Sequence, residues 1–306
     1  MNHRERVLSS IRHQVPDRIP LGELVIPDGL VERAVGKKPW NERSRLSMKK
    51  QFLEELGMDL VVVDASGRRT GDAEVTESAV AREVEFWARE SDFFVFVLFE
   101  GGFTRALNLF GWQDFFRVLA KSPGDVVSVI GETCQSLEGT ALEMLQAGAD
   151  GIIIGDDIAY RKGLFVSPEL LREVLWGPLA RMMERIKVRV GAPVFFHSEG
   201  NIWQALPDIV GAGFDGVHSL EPSSGMDLGE VRRVFGETLC LMGNLEVQYL
   251  LCQEESDLVR EVTGILEVVG NGAGFIFSTT GGLIDEVDLV KLKRMCELVT
   301  NWRPSW

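Results

Sequence analysis

Eight short segments rich in β-branched and aromatic residues alternate along this chain with longer segments of helical pattern. Several of the short segments, such as residues 60–63 and 93–99, are apolar almost without interruption. Such runs are typical of parallel strands that are covered on both faces, whereas half-exposed antiparallel strands alternate apolar and polar residues. The predicted strands are residues 19–25, 59–65, 93–100, 151–157, 193–199, 216–221, 239–246 and 274–280.

Eight strand-helix alternations in one chain favour an α/β fold of the closed (β/α)8 barrel type over an open doubly wound sheet. An open sheet of the dinucleotide-binding type needs GxGxxG after its first strand, and the sequence has none there. No linker or compositional break divides the chain, so we predict one domain over residues 1–306. Residues 1–18 are predicted as an N-terminal helical extension and residues 66–92 as an excursion between two strands. The main helices are predicted at 48–56, 123–146, 168–190, 203–211, 228–235, 254–269 and 287–302.

The charge balance narrows the classes of partner. The 306 residues contain 32 Lys and Arg against 46 Asp and Glu, a formal net charge of −14. A surface this acidic repels phosphate backbones and anionic lipids, so we expect neither a nucleic-acid nor a membrane partner. The four cysteines lie far apart without a CxxC pair, which suits the reduced thiols of the cytoplasm. We therefore expect a cytoplasmic protein.

Carboxylates follow nearly every predicted strand, at the end where a (β/α)8 barrel carries its catalytic groups. Carboxylates that converge on one site repel each other unless a cation is present, so their number points to metal or proton chemistry. The alternative is that some of them only cap the following helix, and for Asp64 and Asp157 the two interpretations have equal weight. The predicted catalytic residues are His197, Glu199, Glu100, Asp157 and Glu246.

His197 and Glu199 are two residues apart on a predicted strand, so both side chains project to the same face. A histidine beside a carboxylate suits a zinc site or a general acid–base pair, and a simple hydrogen-bonded pair is the alternative. His218 lies inside its strand and is expected to be structural. Arg161 could bind an anionic substrate, although an ion pair with the preceding aspartates explains it equally well. The predicted substrate-binding residues are Glu23, Phe103, Arg161 and Asn244.

Several short motifs together resemble the uroporphyrinogen decarboxylase superfamily. They are His197-Ser-Glu-Gly-Asn201, Leu206-Pro-Asp208, residues 212–218 (AGFDGVH), Leu220-Glu-Pro222, Gly225-Met-Asp-Leu228 and Met242-Gly-Asn-Leu-Glu246, with Glu100-Gly-Gly-Phe103, Gly155-Asp-Asp157, Ser167-Pro168-Glu169 and Asp17-Arg-Ile-Pro20 elsewhere. The resemblance covers nearly the whole chain. It implies a (β/α)8 barrel with its site at the carboxyl ends of the strands.

The resemblance implies different chemistry in two branches of the superfamily. The decarboxylase branch has an arginine-rich segment after the first strand and a histidine near the last, and this chain has neither at residues 23–27 and 277–281. The methyltransferase branch has zinc-dependent members with a His-x-Cys pair and a later Cys. Here His197 keeps the histidine, Glu199 replaces the first cysteine, and Thr279 or Thr280 falls near the second.

The branch comparison therefore implies methyl transfer that involves a corrinoid protein or methylcobalamin. An oxygen-rich zinc site of His197 and Glu199, with Glu246, Glu221 or Glu100 as a further ligand, would assist this transfer. A metal-free site that uses the same carboxylates for protonation is the alternative to zinc. Two alternatives stay open: a decarboxylase (carboxy-lyase) of a carboxylated tetrapyrrole, and a barrel that binds a corrinoid or tetrapyrrole without catalysis. The expected partners are a corrinoid protein, a small methyl donor or acceptor, and a second copy of the chain in a homodimer.

Overall fold

The computed structural model describes residues 1–67 and 76–303. Its main sheet has seven strands, and all neighbouring pairs are parallel. The strands along the chain are β1 (Leu60–Asp64), β2 (Phe94–Glu100), β3 (Gly151–Gly155), β4 (Ala159–Tyr160), β5 (Gly163–Leu164), β6 (Val194–His197), β7 (Gly216–His218), β8 (Cys240–Leu245) and β9 (Phe275–Thr279). The order in the sheet is β1-β2-β3-β6-β7-β8-β9, and β4 and β5 form a separate antiparallel hairpin.

Helices connect the strands of this sheet. They are α1 (His3–Ile11), α2 (Asp28–Val35), α3 (Glu42–Glu55), α4 (Glu77–Glu90), α5 (Gly102–Phe110), α6 (Trp112–Lys121), α7 (Pro123–Ala147), α8 (Pro168–Leu171), α9 (Gly177–Arg189), α10 (Leu206–Gly211), α11 (Leu228–Phe235), α12 (Glu255–Val269) and α13 (Leu289–Thr300). A π-helical turn, Arg172–Trp176, joins α8 to α9, so the predicted helix 168–190 is continuous but irregular. Short 3-10 turns cover Trp203–Ala205, Pro222–Ser224 and Val247–Leu250. Among the described residues, no helix combines the length and the apolar composition that crossing a membrane requires.

The predicted first strand, residues 19–25, is not a regular strand. It forms one isolated parallel bridge, between Leu21 and Phe277 of β9. On its other side, the amide of Leu21 donates to the Asp59 side chain rather than to a strand carbonyl, at 2.9 Å. Pro20 also lacks an amide hydrogen, so a full ladder cannot form here. The prediction of eight regular strands in one sheet is therefore corrected to seven. Residues 20–22 lie between the two edge strands of that sheet, β1 and β9.

Both faces of the sheet are buried, as the uninterrupted apolar runs predicted. Alternate residues such as Val62, Phe96 and Phe195 belong to an inner apolar cluster. Their neighbours, such as Val63 and Val97, belong to the larger cluster between the sheet and the helices. This period of two also decides which side chains at the strand ends face inward.

Helix α1 covers the inner cluster at the amino ends of the strands, where its Val7 and Ile11 are buried. It is shorter than the predicted 1–18, because the backbone leaves the helix at Arg12 and His13 has a φ of 56°. In the predicted excursion 66–92 the structure places α4, while residues 68–75 lie outside the described residues. The assignment of one domain stays a prediction.

Candidate functional site

A cavity of about 280 Å³ lies at the carboxyl ends of the first strands of the sheet. Its walls come from the ends of β1, β2, β3 and β6, from residues 24–28 and from helices α3 and α4. The side chains and glycines at those strand ends that line it are Asp64, Glu100, Gly155, His197 and Glu199. A site at the carboxyl ends of parallel strands is the usual location in folds of this class.

The inward direction of these groups follows from the strand register. Glu100 pairs with Gly155, Gly155 pairs with His197, and His197 pairs with His218. Glu100, Gly155 and His197 each lie two residues after a member of the inner apolar cluster on the same strand. His218 lies opposite a member of that cluster on the neighbouring strand. A Cβ atom on Gly155 would lie 3.2 Å from Cδ1 of Leu98 and 3.6 Å from Cδ2 of His197. The missing side chain therefore leaves space between Glu100 and His197.

Two histidines on adjacent strands are in direct contact. Nδ1 of His197 lies 2.7 Å from Nδ1 of His218, and Nε2 of His218 lies 3.0 Å from the carbonyl oxygen of Thr279. His218 is fully buried and His197 is 6% exposed. Burial, with the neighbouring His197 as a smaller cause, holds the pKa of His218 well below its ordinary value. His218 is therefore neutral in the folded protein at ordinary pH.

Two lining carboxylates are held by neighbours that leave them at the cavity wall. Oε2 of Glu100 accepts a hydrogen bond from Nδ2 of Asn108 at 2.9 Å. Oδ1 of Asp64 accepts hydrogen bonds from the amide and the hydroxyl of Ser66, at 2.8 and 2.6 Å. These bonds fix the orientation of both side chains at the cavity wall.

Helix α3 brings two cations to the cavity, Arg45 and Lys49. Nη2 of Arg45 lies 2.7 Å from Oε2 of Glu83, and its Nη1 lies 3.3 Å from Oδ1 of Asp28. Asp28 and Glu83 also line the cavity. The charge of Arg45 is thus offset by two carboxylates of the same wall.

Three other strand-end carboxylates hold loops instead of lining this cavity. Oδ1 of Asp157 accepts from the amide of Glu199 at 3.1 Å. Oε2 of Glu221 accepts from the amide of Gly200 at 2.8 Å. Oε1 of Glu246 accepts from the amide of Ser223 at 2.9 Å, and this residue lines a separate shallow cavity. Asp157 and Glu246 are not among the residues that line this cavity, and their catalytic role beside His197 stays a prediction.

The four predicted substrate-binding residues also lie outside this cavity. Glu23 is 1% exposed and accepts from the amide of Thr279 at 3.0 Å, and burial raises its pKa to about 8. Phe103 is fully buried, with its ring centroid 5.0 Å from that of Phe115. Arg161 donates to the carbonyl of Ser223, beside the shallow cavity of Glu246. Asn244 is 3% exposed, donates to the carbonyl of Leu220 and borders a third cavity near α11 and α12.

Four charged residues that line the cavity, Asp28, Arg45, Lys49 and Glu83, were not predicted from the sequence. His218 was expected to be structural, and it is fully buried and hydrogen-bonded. Its contact with His197 follows from position: both histidines end adjacent strands, so the two rings meet if the strands are in register. Arg45 and Lys49 are four residues apart and share one helix face, but no pattern in the sequence shows that this face points to the site.

The expected zinc site has too few ligands among the described residues. Within residues 1–67 and 76–303, no three His, Cys, Asp or Glu side chains come together in a way that could hold a metal ion. Nδ1 of His197 is engaged by His218, and the hydroxyl of Thr279 donates to Glu23. The described residues alone thus do not supply the three or four ligands that zinc takes in proteins. Zinc bound through His197 and Glu199 stays a prediction, and no chemical step below depends on it.

The amino-acid sequence of this chain is similar to those of one known family. Residues 75–302 match the family model described as uroporphyrinogen decarboxylase (URO-D), which confirms the resemblance seen in the motifs. The uroporphyrinogen decarboxylase of Coxiella burnetii is 28% identical over 162 residues, which are 52% of this chain and 42% of that protein. The methylcobamide:CoM methyltransferase of Methanosarcina barkeri is 26% identical over 180 residues, 57% of this chain and 51% of that protein. These matches span about half the length of each relative.

Two solved structures illustrate the similarity in fold. A methyltransferase from Methanosarcina mazei superposes with a TM-score of 0.78 at 20% identity, covering 96% of this chain and 97% of that one. A B12-independent methionine synthase from Shewanella sp. W3-18-1 has a TM-score of 0.57 at 14% identity, covering 92% and 93%. At these identities the likeness shows a shared α/β fold of the barrel type.

Proposed function

We propose that this chain, which belongs to the uroporphyrinogen decarboxylase family, is an enzyme that transfers a methyl group from a corrinoid to a small acceptor. In this proposal the corrinoid is a substrate carried by a partner protein or supplied as methylcobalamin. The acceptor is a small molecule with a thiol, hydroxyl or amine group, and it binds in the cavity between Glu100 and His197.

The observation that carries the proposal is the size and charge of the cavity. Its volume of about 280 Å³ is close to the lower limit of the range of roughly 300–1,000 Å³ typical of pockets that enclose drug-sized ligands. The described residues that line the cavity include more carboxylates than cations, and one of the two cations, Arg45, donates a hydrogen bond to Glu83. Such a cavity suits a small acceptor that bears no negative charge. It does not suit a macrocycle with several carboxylate arms.

The chemical step needs a base. The methyl group moves from cobalt to the acceptor as a cation equivalent, and the electron pair of the Co–C bond remains on cobalt, which goes from Co(III) to Co(I). The acceptor loses its proton as the new bond forms. Among the residues of the cavity wall we assign His197 as this base, and the Glu199 carboxylate in the same wall stabilises the positive charge that the ring gains.

A decarboxylase is the second candidate, and the family description and one of the relatives reported above favour it. The family description and the Coxiella burnetii relative both carry that activity in their names. A carboxylated tetrapyrrole would meet Asp64 and Glu100 at the wall of this cavity. Repulsion between the substrate carboxylates and these two side chains disfavours binding. We therefore rank it below methyl transfer.

The test is spectroscopic. Conversion of methylcobalamin to cob(I)alamin is followed under anaerobic conditions with a panel of small thiols, alcohols and amines. We expect turnover with at least one acceptor, and a loss of about 100-fold in both His197→Ala and Glu199→Gln, the scale for removal of a general base or of its charge partner. The matched control is Glu184→Gln, an exposed carboxylate on α9, which should keep the native rate.

Two outcomes would contradict the proposal. One is equal rates in all four proteins. The other is no reaction with any acceptor while a carboxylated tetrapyrrole is consumed, which would establish the decarboxylase instead.

Elemental analysis of the purified protein tests the zinc prediction separately. About one equivalent of zinc per chain, lost in Glu199→Gln and kept in Glu184→Gln, would support zinc at His197 and Glu199. A zinc content well below one equivalent in all three proteins would contradict it and leave His197 as the base.

A further inference from the structure

We infer that His218 is a positioning residue, which holds His197 in the tautomer with its proton on Nδ1. The consequence is that Nε2 of His197 carries the lone pair with which this ring takes part in the proposed reaction. The assignment of the tautomer rests on hydrogen-bond geometry and on the burial of His218. Only its consequence for catalysis rests on the proposed function.

The argument starts at the carbonyl oxygen of Thr279. A carbonyl oxygen only accepts hydrogen bonds, so Nε2 of His218, at 3.0 Å, must carry a hydrogen. The same oxygen accepts from the hydroxyl of Ser278 at 3.0 Å, and the amide of Thr279 donates to Glu23. Thr279 is thus held on both sides, and the acceptor that orients the His218 ring is fixed.

The second step concerns the other nitrogen of His218. A neutral imidazole carries one hydrogen, and in His218 that hydrogen is on Nε2, so Nδ1 has a lone pair and accepts. The His218 ring is fully buried, and among the described residues no carboxylate lies within hydrogen-bonding distance of it. This environment favours the neutral state of His218.

The third step fixes His197. Two nitrogens 2.7 Å apart share one hydrogen, and because Nδ1 of His218 accepts it, Nδ1 of His197 must donate it. This bond is the same whether His197 is neutral or protonated, since Nδ1 carries a hydrogen in both states. His218 therefore places the lone pair of His197 on Nε2.

The experiment uses the full chain labelled with ¹⁵N-histidine. The protein has four histidines, His3, His13, His197 and His218, so a long-range ¹H–¹⁵N correlation spectrum at pH 8 contains four ring systems. Substitutions at each histidine in turn assign them. We expect a protonated Nδ1 and an unprotonated Nε2 in His197, and the reverse in His218.

Two variants of His218 separate positioning from packing. His218→Asn keeps an amide group that can accept near the place of Nδ1, and we expect the Nδ1–H tautomer of His197 to persist. His218→Leu keeps the bulk and removes the acceptor, and we expect His197 to shift toward the Nε2–H tautomer that free imidazole side chains prefer.

The spectra can overturn the inference independently of any enzymatic assay. A native spectrum in which His197 carries its hydrogen on Nε2 would refute it, and so would an unchanged Nδ1–H in His218→Leu. If His218→Leu does not fold, the spectra of the native protein and of His218→Asn still test the tautomer assignment.

In the methylcobalamin assay, His218→Leu should lower kcat by at least about tenfold with a smaller change in KM, and His218→Asn should restore most of the lost kcat. Absence of turnover in every protein would refute the proposed function and leave the tautomer assignment standing.

Discussion

At the scale of single residues, strand-end carboxylates divide into those that line the cavity and those that hold loops. Asp64 and Glu100 lie two residues beyond inner residues of their strands, and both reach the cavity. Asp157, Glu221 and Glu246 lie past the strand ends, where the backbone turns and loop amides become available as donors. The period of two predicts the first group. The second group depends on loop conformation, which the sequence pattern does not encode.

Glu23 belongs to neither group, and its burial makes a prediction about stability. Its pKa is raised from 4.5 to about 8, because desolvation outweighs the hydrogen bonds from Thr279. A raised pKa means that the folded state binds the proton more tightly than the unfolded state. The contribution of this carboxyl group to stability is therefore full below about pH 4.5 and is lost as pH rises toward 8, by about 1.4 kcal/mol per pH unit.

The variant Glu23→Gln tests this. Its amide oxygen can still accept from the amide and hydroxyl of Thr279, and it never ionises. We expect the free energy of unfolding of the variant, relative to the native protein, to increase steadily between pH 5 and pH 8.5 in urea titrations. Parallel pH profiles for the two proteins would show that Glu23 does not titrate in this range. His218, which must stay neutral in the fold, affects both proteins equally and cancels in the difference.

At the scale of elements, the sequence predicts buried parallel strands well and irregular segments badly. Seven predicted strands are present within a few residues of their expected bounds, because an apolar run covered on both faces has few alternative structures. Residues 19–25 have the composition of a strand but contact Asp59 and β9 through only a few hydrogen bonds. Composition identifies a buried segment. It does not show whether the neighbouring strand offers a complete ladder.

The hairpin of β4 and β5 shows why part of the site could not be predicted. A Cβ atom on Gly200 would lie 2.8 Å from backbone atoms of Ala159 and Tyr160, and Gly200 has a φ of 83°. The loop that carries Glu199 therefore packs backbone to backbone against this hairpin. Both contacting segments are short and have no periodic pattern, so their docking depends on tertiary structure alone.

At the scale of the whole molecule, the two ends of the sheet have different roles. The carboxyl ends surround the cavity, while the amino ends are closed by a network centred on the buried carboxylate of Asp59. Asp59 accepts from Arg6 of α1 at 2.6 Å, from Arg18 at 2.7 Å and from the amide of Leu21 at 2.9 Å. The Asp17-Arg-Ile-Pro20 motif thus contributes to the amino end. It connects α1 and the irregular segment to the start of β1.

Removal of this carboxylate should cost more than removal of any exposed ion pair. Asp59→Ala leaves the largely buried guanidinium groups of Arg6 and Arg18 without their shared partner, and Arg18 also loses two parallel hydrogen bonds. Breaking a buried ion pair from one side typically costs about 3–5 kcal/mol, and we expect that loss in the free energy of unfolding. Asp114→Ala, which breaks the exposed pair with Arg117, is the matched control and should cost less than about 1 kcal/mol. Urea denaturation of the three proteins measures both values. Equal losses in the two variants would mean that the Asp59 carboxylate does not stabilise the amino end of the fold.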